Sequence, residues 1–311
     1  MRAFRLSTII ALAFFLVSTL SAQQKSAAER LGYPADAKLL ILHADDLAIS
    51  HSEDAASFSA LEKGAVSSAS IIVPAPWLTE VADYAKAHPD ADLGLHLALT
   101  SEWQTYRWGP VAPKDKVSSL LDPSGYLPMT SEEVVKNAKP AEVEIEIRAQ
   151  IERAIAMGIH PTHVDSHMGA LFAKPEFFSI YMKLAHEYHI PFFIFKVDSP
   201  QFAPLYNLIA DKDKPLMMET TAIANPSVPV DKWKDFYANA IKNLKPGLNE
   251  IIVHLSYDDA ESQAIMIGHP DYGAAWRQRD YNLVTSPEFK QLLADNHVIL
   301  IHYRDLAKLL N

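Results

Sequence analysis

The chain has 311 residues, of which 49% are apolar and 21% are charged. These values are typical of a globular protein with a large core, and the length suits one α/β barrel or two smaller domains. The formal net charge of −10 argues against nucleic acid as a partner, because phosphate contacts need clustered Lys and Arg. Cysteine is absent, so disulfides and thiolate metal sites are excluded, and any metal ion would need His, Asp, Glu or backbone oxygen ligands.

The N-terminal segment has the three-part pattern of a secretory signal peptide. Arg2 and Arg5 precede an apolar run over Ile9–Val17, and small polar residues then lead to Ala22. The run is shorter than the roughly 20 residues that a membrane span needs. We therefore expect residues 1–22 to be cleaved and the protein to be exported, periplasmic or secreted, without stable membrane insertion afterwards. An uncleaved membrane anchor is the alternative.

Short apolar segments alternate with helix-like segments along the rest of the chain. We predict strands, rich in leucine or β-branched residues, at Lys38–His43, Ala69–Val73, Asp92–His96, Thr162–Asp165, Pro191–Phe195, Glu250–His254 and Val298–His302, with a weaker one near Pro215–Glu219. We predict helices at Ser52–Lys63, Trp77–Ala87, Ala141–Met157, Pro175–Tyr188, Val230–Leu244 and Pro287–Asn296. Alternation of this kind predicts an α/β fold, a single (β/α) barrel, TIM-like or slightly irregular, with seven or eight parallel strands.

Within this organisation, residues 23–37 form a short lead-in and residues 38–311 form the barrel domain. A long irregular segment at 101–140 interrupts the strand–helix alternation, and long loops of this kind tend to be functional. The segment carries three aromatic candidates for ligand contact, Trp103, Tyr106 and Trp108. Packing of these rings on the barrel itself is an equally good interpretation.

Carboxylates and imidazoles lie at the carboxyl ends of four of the predicted strands. Asp45 and Asp46 follow the first, His167 follows another, and His96 and His254 are the last residues of two more. In a barrel, the carboxyl ends of the strands share one rim, where catalytic groups collect. A divalent cation bound by one Asp would offset the repulsion between the two neighbouring carboxylates and leave the other Asp free to act. One carboxylate and two imidazoles suit such an ion, and a further imidazole suits acid–base chemistry.

Other polar patterns favour structural roles. We expect His43 to pack below the rim, and strand alternation directs His163 away from the site of His167. The segment His186–His189 reads HEYH, whose spacing does not match a His-Glu-x-x-His zinc motif, so a helix surface is favoured. The sequence has no Gly-x-Ser-x-Gly elbow and no glycine-rich nucleotide loop, and only 10 residues are glycine.

Several segments occur in a characteristic order between Leu39 and the C-terminus. They are HADDLAIS, EKGAVSSASIIVPAPW, DLGLHLALTSEW, PTHVDSHMG, EIIVHLSYDD, WRQRD and SPEFKQLL. In this order the chain resembles the YdjC-like carbohydrate deacetylases, which are related in fold to polysaccharide deacetylases. The resemblance implies a (β/α)-barrel-like fold and a metal-dependent hydrolase that removes an acetyl group from an N-acetylated amino sugar or oligosaccharide.

The resemblance also implies roles for individual residues. They are Asp45 as catalytic base, Asp46, His96 and His167 as metal ligands, His254 as general acid, and Arg279 as an orienting charge near the site. One divalent ion is expected, with Zn²⁺ and Mg²⁺ the leading candidates and manganese, cobalt and nickel left open. Trp103, Tyr106 and Trp108 are expected to bind the acetylated sugar, and a homodimer is compatible with the sequence.

The chain departs from the usual family pattern at three places. Leu47 and Ala48 stand where Phe-Gly is usual, Leu255 and Ser256 stand where Pro-Gly is usual, and Met168-Gly169 replaces further histidines. These changes leave the predicted metal ligands in place, but they leave the substrate and the reaction open. Two alternative functions therefore remain: another metal-dependent amide or ester hydrolase, and a non-catalytic exported carbohydrate-binding protein.

Overall fold

In the computed structural model, which describes residues 25–196 and 202–310, parallel strands curl around a buried core. The predicted signal peptide lies outside the described residues. The described strands are β1 Lys38–Leu47, β2 Ser68–Ile71, β3 Leu93–Leu97, β4 Val164–Ser166, β5 Ile194–Phe195, β6 Met217–Met218, β7 Thr220–Ile223, β8 Gly247–His254 and β9 Val298–Leu300. The described α-helices are α1 Ala27–Arg30, α2 His51–Glu62, α3 Leu78–Ala87, α4 Ser131–Asn137, α5 Pro140–Ala156, α6 Pro175–Glu187, α7 Ala203–Tyr206, α8 Trp233–Lys242, α9 Ala260–Ile265, α10 Ala274–Val284 and α11 Pro287–Asp295.

The main sheet has seven strands in the order β4-β3-β2-β1-β8-β7, with β9 pairing separately with β1. Strand β9 pairs with Lys38–Leu40, and β2 pairs further along, from His43. Strands β5 and β6 form a separate parallel pair, and an isolated bridge joins Val164 to Phe192. The α/β class and the parallel sheet are thus confirmed. A complete TIM barrel is not, because the two sheets remain separate in the part of the chain that the structure describes.

Strand β1 lies inside the main sheet, between β2 and β8, and its residues from Leu39 onwards are buried. Its leucine and isoleucine side chains pack on both faces of the sheet, as expected for a strand covered on both sides. Strand β8 pairs with it in continuous register from Lys38–Gly247 to Asp45–His254. This register brings the carboxyl ends of β1 and β8 together at one rim.

Most predicted elements are present. Strand β7 and helices α1, α4, α7, α9 and α10 were not predicted, and α4 lies within the segment 101–140. Helix α10 lacks a clear helical spacing of apolar residues, because the polar residues Arg277 and Asp280 face the interior together with Trp276. Among the described residues, no helix combines the length and the apolar character needed to cross a membrane.

Candidate active site

The two adjacent carboxylates of β1 reach the same site because the strand is bulged at its end. Pairing with β2 joins Ala44 to Ala69 and then Leu47 to Ile71, so that β1 has one extra residue between the pairs. Asp46 adopts a left-handed backbone with φ 76°. In a regular strand, consecutive side chains point to opposite faces, and a bulge redirects them. Both carboxylates therefore approach His96, with Asp45 Oδ2 at 3.8 Å and Asp46 Oδ1 at 3.5 Å from Nε2.

Asp46, His96 and His167 form a compact cluster of ligand-type atoms. Asp46 Oδ1 lies 3.5 Å from His96 Nε2 and 3.4 Å from His167 Nδ1. All three residues are buried. Asp46 Oδ1 is buried and has no hydrogen-bond partner within the described ranges. A buried carboxylate oxygen without a partner is costly, so this atom marks where a cation would fit.

Two further carboxylates orient the imidazoles of this cluster. Asp165 Oδ1 lies 2.6 Å from His96 Nδ1, and the two residues are in register on β3 and β4. Glu102 Oε2 lies 3.0 Å from His167 Nε2. In a neutral ring, the nitrogen with the closer carboxylate carries the hydrogen, so the other nitrogen can present its lone pair to a cation bound beside Asp46. The donor set is therefore one that could hold a metal ion.

The opposite side of Asp46 is occupied by an arginine. Arg277 Nη2 donates to Asp46 Oδ2 at 2.8 Å, and its Nη1 pairs with the buried Glu53. The resemblance implies an orienting charge at Arg279, but the arginine that contacts Asp46 is Arg277, two residues earlier on α10. The guanidinium of Arg279 instead lies 4.6 Å from the ring centre of Trp233. Two residues along a helix is about 200°, so Arg277 and Arg279 cannot share a face.

Asp45 and His254 face each other across neighbouring strands. Asp45 Oδ1 accepts a hydrogen bond from Ser70 Oγ at 3.2 Å, while Oδ2 lies 4.0 Å from His254 Nε2. The backbone N–H of His254 donates to Asp280 Oδ2 at 3.1 Å. Asp280 is in turn held by Trp233 and the hydroxyl of Tyr237. One oxygen of Asp45 is thus anchored, and the other is directed towards an imidazole.

The charged state of each group follows from its surroundings. Burial opposes ionisation of Asp46, but Arg277 and the neighbouring imidazoles outweigh it and hold its pKa well below the usual range. Burial also opposes the charge on His167, yet Glu102 and Asp46 raise its pKa to about 10. Burial, with a contribution from Arg277, lowers the pKa of His254 to about 4. His254 is therefore a neutral imidazole at pH 7, whereas Asp46 is ionised.

The three predicted aromatic contacts lie close to this cluster but differ in exposure. Trp103 and Trp108 are 1% and 3% exposed, so neither offers an open ring face for stacking on a sugar. Trp103 packs under Arg277, and Trp108 lies with its ring centre 6.4 Å from that of His167. Tyr106 is half-buried, and its hydroxyl donates to the carbonyl of Ile49. The two tryptophans are thus walls of the site in this structure, and sugar binding stays a prediction.

Four residues of the site were not identified from the sequence: Asp165, Glu102, Arg277 and Asp280. Signals for them were present in the motifs. Asp165 belongs to the same DSH segment as His167, and Glu102 precedes Trp103 in the segment that follows β3. Arg277 and Asp280 are three residues apart, the spacing of one helix face. Because no helix was predicted for the WRQRD segment, this spacing was not recognised.

Comparison with known proteins identifies relatives over most of the chain. The YdjC-like protein family matches residues 39–295. A carbohydrate deacetylase from Thermus thermophilus is 32% identical over 275 residues, which cover 86% of this chain and 94% of that protein. A carbohydrate deacetylase from Brevibacillus brevis is 28% identical over 269 residues, covering 86% of this chain and 99% of that protein.

A solved structure supports the same architecture. A candidate cellobiose-phosphate cleavage protein from Enterococcus faecalis has a TM-score of 0.73 and 22% sequence identity, covering 87% of this chain and 99% of that chain. At this identity the likeness concerns the fold alone. The family match and the 32% identity over most of both chains confirm the resemblance seen in the motifs, and the chain belongs to the YdjC-like family.

Proposed function

We propose that this protein is a metal-dependent carbohydrate deacetylase that hydrolyses the acetamide of an N-acetylated amino sugar or oligosaccharide. The observation that carries the proposal is the convergence of Asp46, His96 and His167 on one point, with Asp45 and His254 beside it. Two relatives named carbohydrate deacetylase support the substrate class. A binding protein would need neither a ligand cluster nor an adjacent acid–base pair.

Asp46 Oδ1, His96 Nε2 and His167 Nδ1 would hold one divalent ion, with Zn²⁺ and Mg²⁺ the leading candidates. When bound, such an ion polarises the acetyl carbonyl and lowers the pKa of a water molecule. Asp165 and Glu102 keep the two imidazoles in the tautomers that binding requires. Arg277 keeps Asp46 ionised from its other oxygen.

Asp45 and His254 would move the protons. Asp45 Oδ2 takes a proton from the attacking water, because Oδ1 is anchored and Oδ2 faces the cluster. His254 starts as a neutral imidazole, since burial lowers its pKa to about 4. Its Nε2 lies 4.0 Å from Asp45 Oδ2, beyond hydrogen-bond reach. Transfer of the proton from Asp45 to His254, and then to the departing amine, therefore requires the two side chains to approach each other in the substrate complex. Acid–base assistance of this kind contributes about 10²–10⁴-fold to the rate.

Acetate release tests the proposal. Purified protein is treated with chelator, reloaded with Zn²⁺ or Mg²⁺, and assayed on N,N′-diacetylchitobiose and longer chitooligosaccharides, with Asp45→Asn as the matched control. We expect metal-dependent acetate release by the wild type and loss of turnover in Asp45→Asn. Hydrolysis of simple amides or esters without sugar deacetylation would favour the broader hydrolase class. Sugar binding without turnover at saturating metal would favour a binding protein, and either result would contradict the proposal.

We also infer that the protein works outside the cytoplasm, in a periplasm or the medium. The support is the basic, apolar and small-residue pattern of residues 1–22. Expression of the full chain in a bacterium followed by N-terminal sequencing of the exported protein would test this. A mature terminus close to residue 23 is expected. Retention of Met1 on a cytoplasmic protein would contradict it.

A further inference from the structure

A buried histidine that the proposed reaction does not use lies directly below the site. His43 is on β1, two residues before Asp45, and its side chain is fully buried. Its Nε2 lies 3.0 Å from Asp45 Oδ1, 3.1 Å from Asp165 Oδ2 and 3.0 Å from Ser70 Oγ. One ring nitrogen therefore faces three oxygens that come from three different strands.

The proton on this ring is placed by its neighbours. Two of the three oxygens belong to carboxylates, so Nε2 carries a hydrogen and donates. Ser70 Oγ passes a hydrogen bond on to Asp45 Oδ1 at 3.2 Å. The opposite ring nitrogen, Nδ1, is buried without a hydrogen-bond partner among the residues that the structure describes. The contacts of His43 are thus concentrated on the side of the two carboxylates.

Aromatic packing fixes the plane of the ring. His163 and Tyr303 meet it edge-on, with ring centres 4.9 Å and 5.6 Å away. Those two rings stack on each other at 3.8 Å, and Tyr303 is anchored by a hydrogen bond from its hydroxyl to Glu250. A side chain held in this way can hold others, because its rotamer is locked by packing.

We propose that His43 is a positioning residue that holds Asp45 and Asp165 at once. By binding Oδ1 of Asp45, it leaves Oδ2 directed at His96 and His254. By binding Oδ2 of Asp165, it leaves Oδ1 to orient His96. The proposed base and the orienting partner of a metal ligand therefore share one donor, although His43 touches neither the substrate nor a ligand.

The role in the metal site and the role in turnover can be separated experimentally. The effect of His43 on metal binding depends only on Asp165 and His96, whereas its effect on turnover rests on the proposed deacetylase function. Removing the donor is expected to weaken both, because two buried carboxylates then lose a common partner. A histidine that only fills space would affect stability alone.

The test uses His43→Leu, which removes the donor, and His43→Gln, whose amide nitrogen can reach the position of Nε2. Tyr303→Phe is the matched control, since it perturbs the same buried layer without a contact to Asp45 or Asp165. The measurements are the Zn²⁺ dissociation constant of the metal-free full chain by calorimetry, and kcat and KM for acetate release from N,N′-diacetylchitobiose.

For His43→Leu we expect a Zn²⁺ dissociation constant raised by about 10–100-fold, the effect typical of losing an outer hydrogen-bond partner. We expect kcat to fall by about 10²-fold or more with KM nearly unchanged. His43→Gln should recover most of both losses, and Tyr303→Phe should show neither. If His43→Leu does not fold, the measurements on His43→Gln test the proposal by themselves. A loss of about 100-fold in Zn²⁺ affinity or in kcat for His43→Gln would contradict the role of the donor.

Wild-type values in a folded His43→Leu protein, or equal losses in Tyr303→Phe, would overturn the inference. If the wild type binds Zn²⁺ but releases no acetate, the proposed function fails while the Zn²⁺ measurements still test the link from His43 to the metal site. The two proposals can therefore fail separately.

Discussion

The two oxygens of Asp46 lie in contrasting surroundings. On the imidazole side, which we define by His96 and His167, Oδ1 faces two ring nitrogens and has no hydrogen-bond partner within the described residues. On the arginine side, Oδ2 accepts a hydrogen bond from Arg277 at 2.8 Å. One oxygen already has a cationic partner, and the other belongs to a group of His and Asp ligand atoms that could hold a metal ion. In the function proposed above, a single buried carboxylate therefore serves both structure and metal binding.

The largest expected effect is the loss of metal on the imidazole side. Asp46→Asn removes the charge at the point where the two imidazoles converge. Zn²⁺ affinity should therefore fall by more than about 100-fold, which is the upper end of the loss expected when a metal ligand loses a hydrogen-bond partner. Asp45→Asn is the matched control on the adjacent residue. It should keep its metal and lose turnover by about 10²–10⁴-fold. Equal metal content in the two variants, by elemental analysis, would remove the distinction between these carboxylates.

On the arginine side, the expected effect is on stability. Arg277→Met leaves the buried carboxylates of Asp46 and Glu53 without their partner, and breaking a buried ion pair typically costs about 3–5 kcal/mol. Arg279→Met on the same helix removes the contact with Trp233, worth about 0.5–1 kcal/mol at a partly exposed position. Denaturant unfolding of both variants measures the difference. Similar losses for the two arginines would show that Arg277 has no special role.

Glu102→Gln tests whether the Glu102 carboxylate orients the imidazole ring of His167. The substitution keeps an amide oxygen but removes the negative charge of the acceptor that faces His167 Nε2, so the tautomer of the ring is held less firmly and Zn²⁺ affinity should fall by about 10–100-fold. Glu132→Gln, at an exposed position on α4, is the control and should bind Zn²⁺ as the wild type does. Unchanged affinity in Glu102→Gln would mean that packing alone orients the ring.

The smallest effect concerns the backbone beyond Asp46. Ala48 has φ 80°, in the left-handed region where a residue with a Cβ is strained by about 1–2 kcal/mol. Glycine relieves this strain, but it loses about 0.5–1 kcal/mol of backbone entropy on folding and the burial of one methyl group, so Ala48→Gly should change stability by less than about 1 kcal/mol. Ala60→Gly, inside α2 and equally buried, has no such strain to relieve and should lower stability by about 1–2 kcal/mol. Equal losses of thermal stability in the two variants would contradict the strain at Ala48.

The imidazole side could largely be predicted from the sequence, whereas the arginine side could not. His96, His167 and the Asp pair each lie at the carboxyl end of an apolar strand or just beyond it, and the rim of a parallel sheet brings such positions together. Arg277 and Asp280 lie on a helix whose buried face is polar, so apolar periodicity did not mark it. The bulge at Asp46 was also hidden, because its left-handed backbone occurs at an aspartate and not at a glycine.

The central claim is that one divalent cation is held between Asp46, His96 and His167. Anomalous diffraction from crystals soaked with Zn²⁺ tests it most directly, since it locates the ion independently of activity. We expect a single strong peak within coordination distance of Asp46 Oδ1, His96 Nε2 and His167 Nδ1. A peak between Asp45 and Asp165 instead, or no peak at this cluster in a fully soaked crystal, would contradict it.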